Sequence, residues 1–280
     1  MKKWYFILSG LLLPALTINY AVRQIGPMIQ GIYITPTPES TVEEIPPDTI
    51  EIKKGGNIYR VSWFIVDDLN LLSLLPNFDN KLPSKTFKEQ NDCDYLTNGG
   101  FYTKEDTPLG LFVSEGETFT AVIPHALFNG FFYATLDHEV GISRVLPKKE
   151  FRFAVQTGPM LIENNRENVI RLRGDKTARR MVAGLTEMNQ IVFLAIYNGE
   201  SLLQGPYLSD LPAILTQLNE KASFTLLHAV NLDGGFASSF ISEFVMLPEV
   251  NYSGSFFCAK GPSVKYDSNP EASPTGVLIQ

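Results

Sequence analysis

The chain has 280 residues, 44% hydrophobic and 19% charged, enough apolar material for one sizeable core and the composition of a folded globular protein. Its formal net charge is −7 and no long Lys/Arg cluster interrupts it, so the basic face of a nucleic-acid binder is missing and nucleic acid is not an expected partner. Three histidines and two cysteines stand singly, without CxxC, HExxH or His-x-His spacing; this argues against a dedicated zinc site and leaves room only for an oxygen-ligand Ca²⁺ or Mg²⁺, so no cofactor is expected.

In chain order, Lys2 and Lys3 precede an apolar stretch from Trp4 to Ile18, broken only by Ser9, Gly10, Pro14 and Thr17. The stretch is shorter than the roughly 20 apolar residues of a spanning helix. Its basic start and its length fit a signal peptide ending near Ala21. Asn19 is not the small residue usual two positions before a cleavage point, so an uncleaved anchor is the alternative, and any membrane contact would run through it. Export, either as a secreted protein or to the outer face of a membrane, is the expected localisation. Residues 22–49 are rich in proline and acid (Thr35-Pro36-Thr37-Pro38-Glu39-Ser40, then Glu43-Glu44-Ile45-Pro46-Pro47) and read as a linker ahead of a domain over residues 50–280. An oxidising compartment permits a Cys93–Cys258 disulfide; two small buried residues are the other reading. Asn251-Tyr252-Ser253 is a glycosylation sequon, relevant only in a eukaryotic secretory pathway, and Arg173-Gly174-Asp175 reads as a chance tripeptide.

From Ile50 the pattern is mostly strand. β-Branched and aromatic runs predict strands over Ile58–Val66, Leu69–Leu75, Leu109–Val113, Thr118–Ile123, Phe131–Leu136, Phe151–Gln156, Met160–Glu163, Met181–Leu185, Ile191–Tyr197, Phe224–Leu232 and Gly276–Ile279. One helix is clear: Leu208, Leu211, Ile214, Leu215 and Leu218 recur at helical spacing, with Ser209 or Asp210 as a cap and Pro212 in the first turn. A shorter helix is expected over Thr86–Cys93 or after Gly235. Many strands with few helices predict an α+β fold: a twisted mixed or antiparallel sheet with a single catalytic domain.

Four segments carry candidate chemistry. Asn98-Gly99-Gly100 ends a short strand and can offer backbone N–H groups to an anion. Gln156-Thr157-Gly158-Pro159 ends another strand in two polar side chains that point to opposite faces. Arg179-Arg180 enters the strand at Met181; an arginine at a strand mouth can grip a phosphate with its fork, whereas Arg171, Arg173 and Lys176 nearby read as surface charge. Asn231-Leu232-Asp233-Gly234-Gly235, followed by Ser238-Ser239, puts a carboxylate where the backbone must turn sharply. His228, five residues before Asp233, falls on the opposite strand face and reads as structural. Each segment alone reads better as a plain turn, strand end or surface charge.

Taken together and in this order, with Pro108-Leu109-Gly110-Leu111 and Met160-Leu161, they resemble the phosphodiester glycosidase domain over roughly Ile50 to the C-terminus. The resemblance marks Asn98, Gly99, Gly100, Gly158, Arg180, Gly184, Asp233, Gly234 and Gly235. It departs at Phe236-Ala237, where members often have Gly-Ser, so Ser238 or Ser239 is the candidate replacement hydroxyl, and at Met181-Val182 after Arg180.

The resemblance implies hydrolysis of a sugar–phosphate bond at the anomeric carbon of an exported or cell-surface glycoconjugate. Phosphate leaves readily, so the expected work is to hold the diester, stabilise an oxocarbenium-like transition state and place a water. Asp233 is the expected base or anion, Arg180 with the Gly99–Gly100 N–H groups the phosphate clamp, and Asn98 and Asn231 the orienting amides. Gln156, Thr157, Gly158, Gly234, Gly235, Ser238 and Ser239 complete the expected binding surface. Glu115, Asp94 and Glu163 are candidates for a second acid. A non-catalytic glycan-binding module is the competing reading, and a metal-dependent phosphodiesterase a third.

Overall fold

Three antiparallel sheets share one apolar centre. The computed structural model describes residues 45–262, which belong to one compact unit. The first sheet has seven strands, in the order Thr49–Lys54, Asn57–Val66, Ile191–Asn198, Arg180–Thr186, Leu226–Asn231, Met160–Glu163 and Arg166–Glu167. The second has five: Met246–Leu247, Phe240–Ile241, Tyr95–Asn98, Ser255–Ala259 and Leu72–Pro76. The third also has five: Glu117–Thr120, Phe112–Ser114, Phe151–Thr157, Gly130–Thr135 and Val140–Ser143. Every described strand pair is antiparallel, so the sheet is not mixed, and three sheets stand where one was expected.

The unbroken apolar run at residues 191–197 is explained by burial on both faces. Phe193, Ala195 and Tyr197 alternate into the central cluster, with Phe64, Phe132, Phe240 and Phe257, contributed by all three sheets. Val192, Leu194 and Ile196 point the other way, onto the helix Leu211–Lys221, which presents Leu211, Ile214, Leu215 and Leu218. Each such fully buried side chain contributes about 1.5–3 kcal/mol. Gly184 is required by this packing: a Cβ there would lie 2.6 Å from Leu226 Cδ2. A third cluster, with Phe87, Leu96, Ile241 and Phe256, surrounds the Cys93–Cys258 disulfide, whose Cα atoms are 5.4 Å apart. It ties the segment after helix Ser84–Gln90 to the strand Ser255–Ala259.

Several elements differ from the sequence reading for identifiable reasons. Leu69–Leu71 is a 3₁₀ turn, because Asp68 Oδ1 accepts from Asn70 N–H at 2.9 Å; the strand starts only at Leu72. The strand expected to reach Ile123 stops at Thr120, since the Ile123 backbone is captured by Gln156. The linker expected through residue 49 ends earlier: Thr49 is buried and pairs with Ser62. Asp210 occupies the helix cap position without a side-chain bond; Asp175 instead accepts from Leu208 and Ser209 N–H at 3.1 and 2.9 Å. The residues after Gly235 form a 3₁₀ turn, Gly235–Ala237. The expected signal peptide, most of the linker and the strand at 276–279 lie outside the described residues. Among the described residues no helix is long and apolar enough to cross a membrane.

Candidate active site

The four polar segments, distant in sequence, meet at one place. The strand ending at Asn231 is flanked by the strand starting at Arg180 and the strand starting at Met160, so Asp233 emerges between both neighbours. Asp233 N–H donates to the Gly99 carbonyl at 3.2 Å, and Asn98 Nδ2 donates to the Asp233 carbonyl at 2.8 Å. Thr157 Oγ1 and Gly158 N–H both donate to the Asn231 carbonyl, at 2.6 and 3.1 Å. Gly235 N–H donates to the Arg179 carbonyl at 2.8 Å.

The glycines make this approach sterically allowed. A Cβ on Gly99 would sit 2.3 Å from Ser255 Oγ, one on Gly100 2.5 Å from Val155 Cγ2, and one on Gly234 2.9 Å from the Arg179 carbonyl oxygen. Gly235 adopts a φ of +65°, which a side chain would strain. The paired glycines thus close the junction by letting the Ser255 and Val155 side chains and the Arg179 backbone pack against them.

Several polar side chains read as facing a substrate are instead committed to the chain. Asn98 donates to the Gly99 and Asp233 carbonyls and accepts from Ser239 N–H at 3.0 Å. Gln156 accepts from Leu111 and Ile123 N–H and donates to the Ile123 and Phe128 carbonyls, so it pins the segment over residues 121–128. Thr157 is fully buried on Asn231. Asn231 Nδ2 donates to the Gly158 and Leu232 carbonyls. Ser238 Oγ donates to the Gly235 carbonyl and accepts from Arg179. These residues position the loops. Asn231 Oδ1 and the Ser239 and Ser255 hydroxyls are buried at the same junction without a hydrogen-bond partner among the described residues.

The two arginines divide the work. Arg179 is 0% exposed; its guanidinium donates to Ser238 Oγ at 2.8 Å and to the Ser238, Leu202 and Pro248 carbonyls. Burial drives its pKa down to about 10, with Glu249 opposing. Arg180 lays its stem beside Gly234, its Cδ 3.7 Å from where a Cβ would stand. Its Nε donates to the Pro206 carbonyl at 3.1 Å, its Nη2 to the Lys176 carbonyl, and Asp175 lies 3.6 Å away. Nη1 of Arg180 has no hydrogen bond among the described residues.

Asp233 is half-buried, yet packing around its carboxyl strips enough water to raise its pKa to about 7; the hydrogen bond from Gly234 N–H at 2.8 Å opposes this. Tyr102, missed by the sequence reading, lies close enough for the Asp233 charge to push its pKa up, after burial, and its hydroxyl donates to the Tyr252 carbonyl at 2.8 Å. Its one signal was position, two residues beyond Gly100. The candidate second acids are held elsewhere: Glu163 by Arg144 and Asn168, Asp94 by Gly261 N–H, and Glu115 on a hairpin of the third sheet. His228 lies beside Glu163, with its Nδ1 buried and unpartnered among the described residues. No group of three or more His, Cys, Asp or Glu side chains able to hold a metal occurs among the described residues.

A β-rich scaffold gathers four loop segments around one half-buried acid. Residues 91–265 match the phosphodiester glycosidase (NAGPA) family, and the chain belongs to it. The fold is similar to that of the zebrafish N-acetylglucosamine-1-phosphodiester alpha-N-acetylglucosaminidase catalytic domain, auto-inhibited by its pro-peptide, at a TM-score of 0.57 and 13% identity, covering 76% of this chain and 82% of that one. A hypothetical protein from Synechocystis is similar at a TM-score of 0.52 and 14% identity, covering 75% of this chain and 61% of that one. The uncharacterized protein YigE of Escherichia coli (strain K12) is 38% identical over 85 residues, 27% of this chain and 33% of YigE, so the match spans about a third of that relative.

Proposed function

We propose that this protein is an exported hydrolase that splits a sugar 1-phosphodiester at the glycosidic C–O bond, releasing free sugar and a phosphomonoester. The observation that carries the reading is the meeting of residues 98–100, 156–159, 179–180 and 231–235 around the raised carboxyl of Asp233. A carboxyl that titrates near neutrality suits a general base: ionised enough to accept a proton, basic enough to take one from water. Asp233 Oδ1 is held by Gly234 N–H, which fixes the carboxylate plane and leaves Oδ2 for the water or the anomeric carbon. Arg180, with one guanidinium edge anchored on two carbonyls and Nη1 remaining, holds the phosphate as an oriented donor rather than a free fork. Because phosphate leaves as a weak base, no strong general acid is required. Asn98, Gln156 and Thr157 act through the loops they fix.

The test is release of free sugar from benzyl phospho-N-acetylglucosamine. Wild type should release it, and Asp233→Asn should lose at least ~10²-fold in kcat while keeping its fold. Near-normal turnover by the variant removes Asp233 from the mechanism. Tight binding without release by wild type makes the domain a glycan-binding module, and release of a sugar phosphate, lost with chelator, makes it a metal-dependent phosphodiesterase.

A further inference from the structure

A cavity of about 480 Å³ opens beside the Gly158–Pro159 turn, between Leu127 and Asn129 on one side and Arg144, Val169 and Arg171 on the other. That is the size of a small-molecule site. Pro159 lines it, and the Pro159 carbonyl accepts from Asn231 N–H at 3.1 Å. The turn is therefore a wall shared between this cavity and the strand end that carries Asp233.

The side chains of the cavity offer mainly donors. Arg171 is exposed and makes no ion pair or hydrogen bond among the described residues. Arg144 commits Nε and Nη2 to Glu163 at 2.7–3.0 Å and leaves Nη1. Asn129 accepts from Met160 N–H through Oδ1 at 3.0 Å, which leaves its Nδ2 as a donor. Against these stands Asn168 Oδ1, since Asn168 Nδ2 is committed to the Met160 carbonyl and Glu163. The Arg144–Glu163 fork cancels its own charge, so Arg171 leaves the cavity positive on a chain whose net charge is −7. The remaining wall is apolar, with Val169 81% exposed. Two guanidinium groups and an amide donor beside an apolar wall match a ligand with an anionic end and a less polar body.

We propose that this cavity binds the phosphorylated arm of the diester, the part of the leaving group beyond the scissile phosphate, with Arg171 as the group that selects a second phosphate. This rests on the proposed function and names the class of aglycone it takes.

The test compares two N-acetylglucosamine 1-phosphodiesters, UDP-N-acetylglucosamine, whose arm carries a second phosphate, and the benzyl diester, whose arm is neutral. Arg171→Glu, an exposed change outside the Asp233 loops, should raise KM for the nucleotide sugar at least about tenfold and leave kcat and the benzyl substrate unchanged. Equal effects on both substrates, or none, overturn the assignment while the glycosidase reading stands. If neither diester is split, the glycosidase reading fails. Calorimetric titration with UDP alone then decides the cavity: wild type should bind at least about tenfold more tightly than Arg171→Glu, and equal affinity or no binding overturns it.

Discussion

Arg179 and Arg180 are adjacent in sequence, and their surroundings could hardly differ more. Arg179 is sealed from water and brackets three loops through Ser238, Leu202 and Pro248. Arg180 stands at the mouth, 13% exposed, half anchored and beside Gly234. Arg179 lies just ahead of the strand and Arg180 opens it, so one position builds the site and the other borders it. A charged residue at a strand mouth is therefore no functional signal until its partners are known.

The sharpest way to break this division is to truncate the buried partner. Arg179→Ala leaves the Leu202, Ser238 and Pro248 carbonyls without their donor, and should cost about 3–5 kcal/mol of stability, read as a lowered urea midpoint. A loss under about 1 kcal/mol would mean that the bracket is dispensable. On the mouth side, Asp233→Asn should show the reverse pattern: the activity loss above, with no loss of stability. Burial raises the Asp233 pKa, so the folded state holds a proton that the unfolded state releases, and stability falls as pH rises from about 4 to about 7. Asn carries no charge to desolvate, so the variant should melt above wild type at pH 8 and lose that advantage toward pH 4. A lower melting temperature at pH 8 would show the carboxylate to be structural.

Arg180→Lys is expected to have a smaller effect, raising KM about tenfold with little change in melting temperature, since an ammonium reproduces neither the anchored edge nor Nη1. An unchanged KM would release Arg180 from phosphate binding. The mildest expected signature is in the wild-type pH profile. As a base, Asp233 should make kcat/KM rise through about pH 7 to a plateau, and a profile flat between pH 5 and 8 would contradict that role.

Much of the scaffold was legible because its strands obey simple patterns. The long runs at 57–66, 180–186 and 191–198 show their burial in their composition, and the spacing of Leu211, Ile214, Leu215 and Leu218 marks the helix. Two-residue strands such as Phe240–Ile241 carry no period to read, and Leu69–Leu71 misleads because one Asp68 hydrogen bond to Asn70 N–H outweighs the two leucines. The meeting of the four segments was anticipated from the family's ordered motifs. The work of Asn98 and Gln156 was not, since an amide side chain looks the same whether its partner is a ligand or a carbonyl far along the chain. The Arg144–Arg171 cavity was invisible for a similar reason: its walls come from separate segments, and Arg171 alone reads as surface charge.

The central claim is that the broken bond is the sugar's C–O bond. Hydrolysis of the benzyl diester in ¹⁸O-water tests it most directly, by mass spectrometry of both products. The products should be free sugar and benzyl phosphate with no label in the phosphate, the new oxygen having gone to the anomeric carbon; labelled benzyl phosphate, or sugar 1-phosphate together with benzyl alcohol, would contradict it.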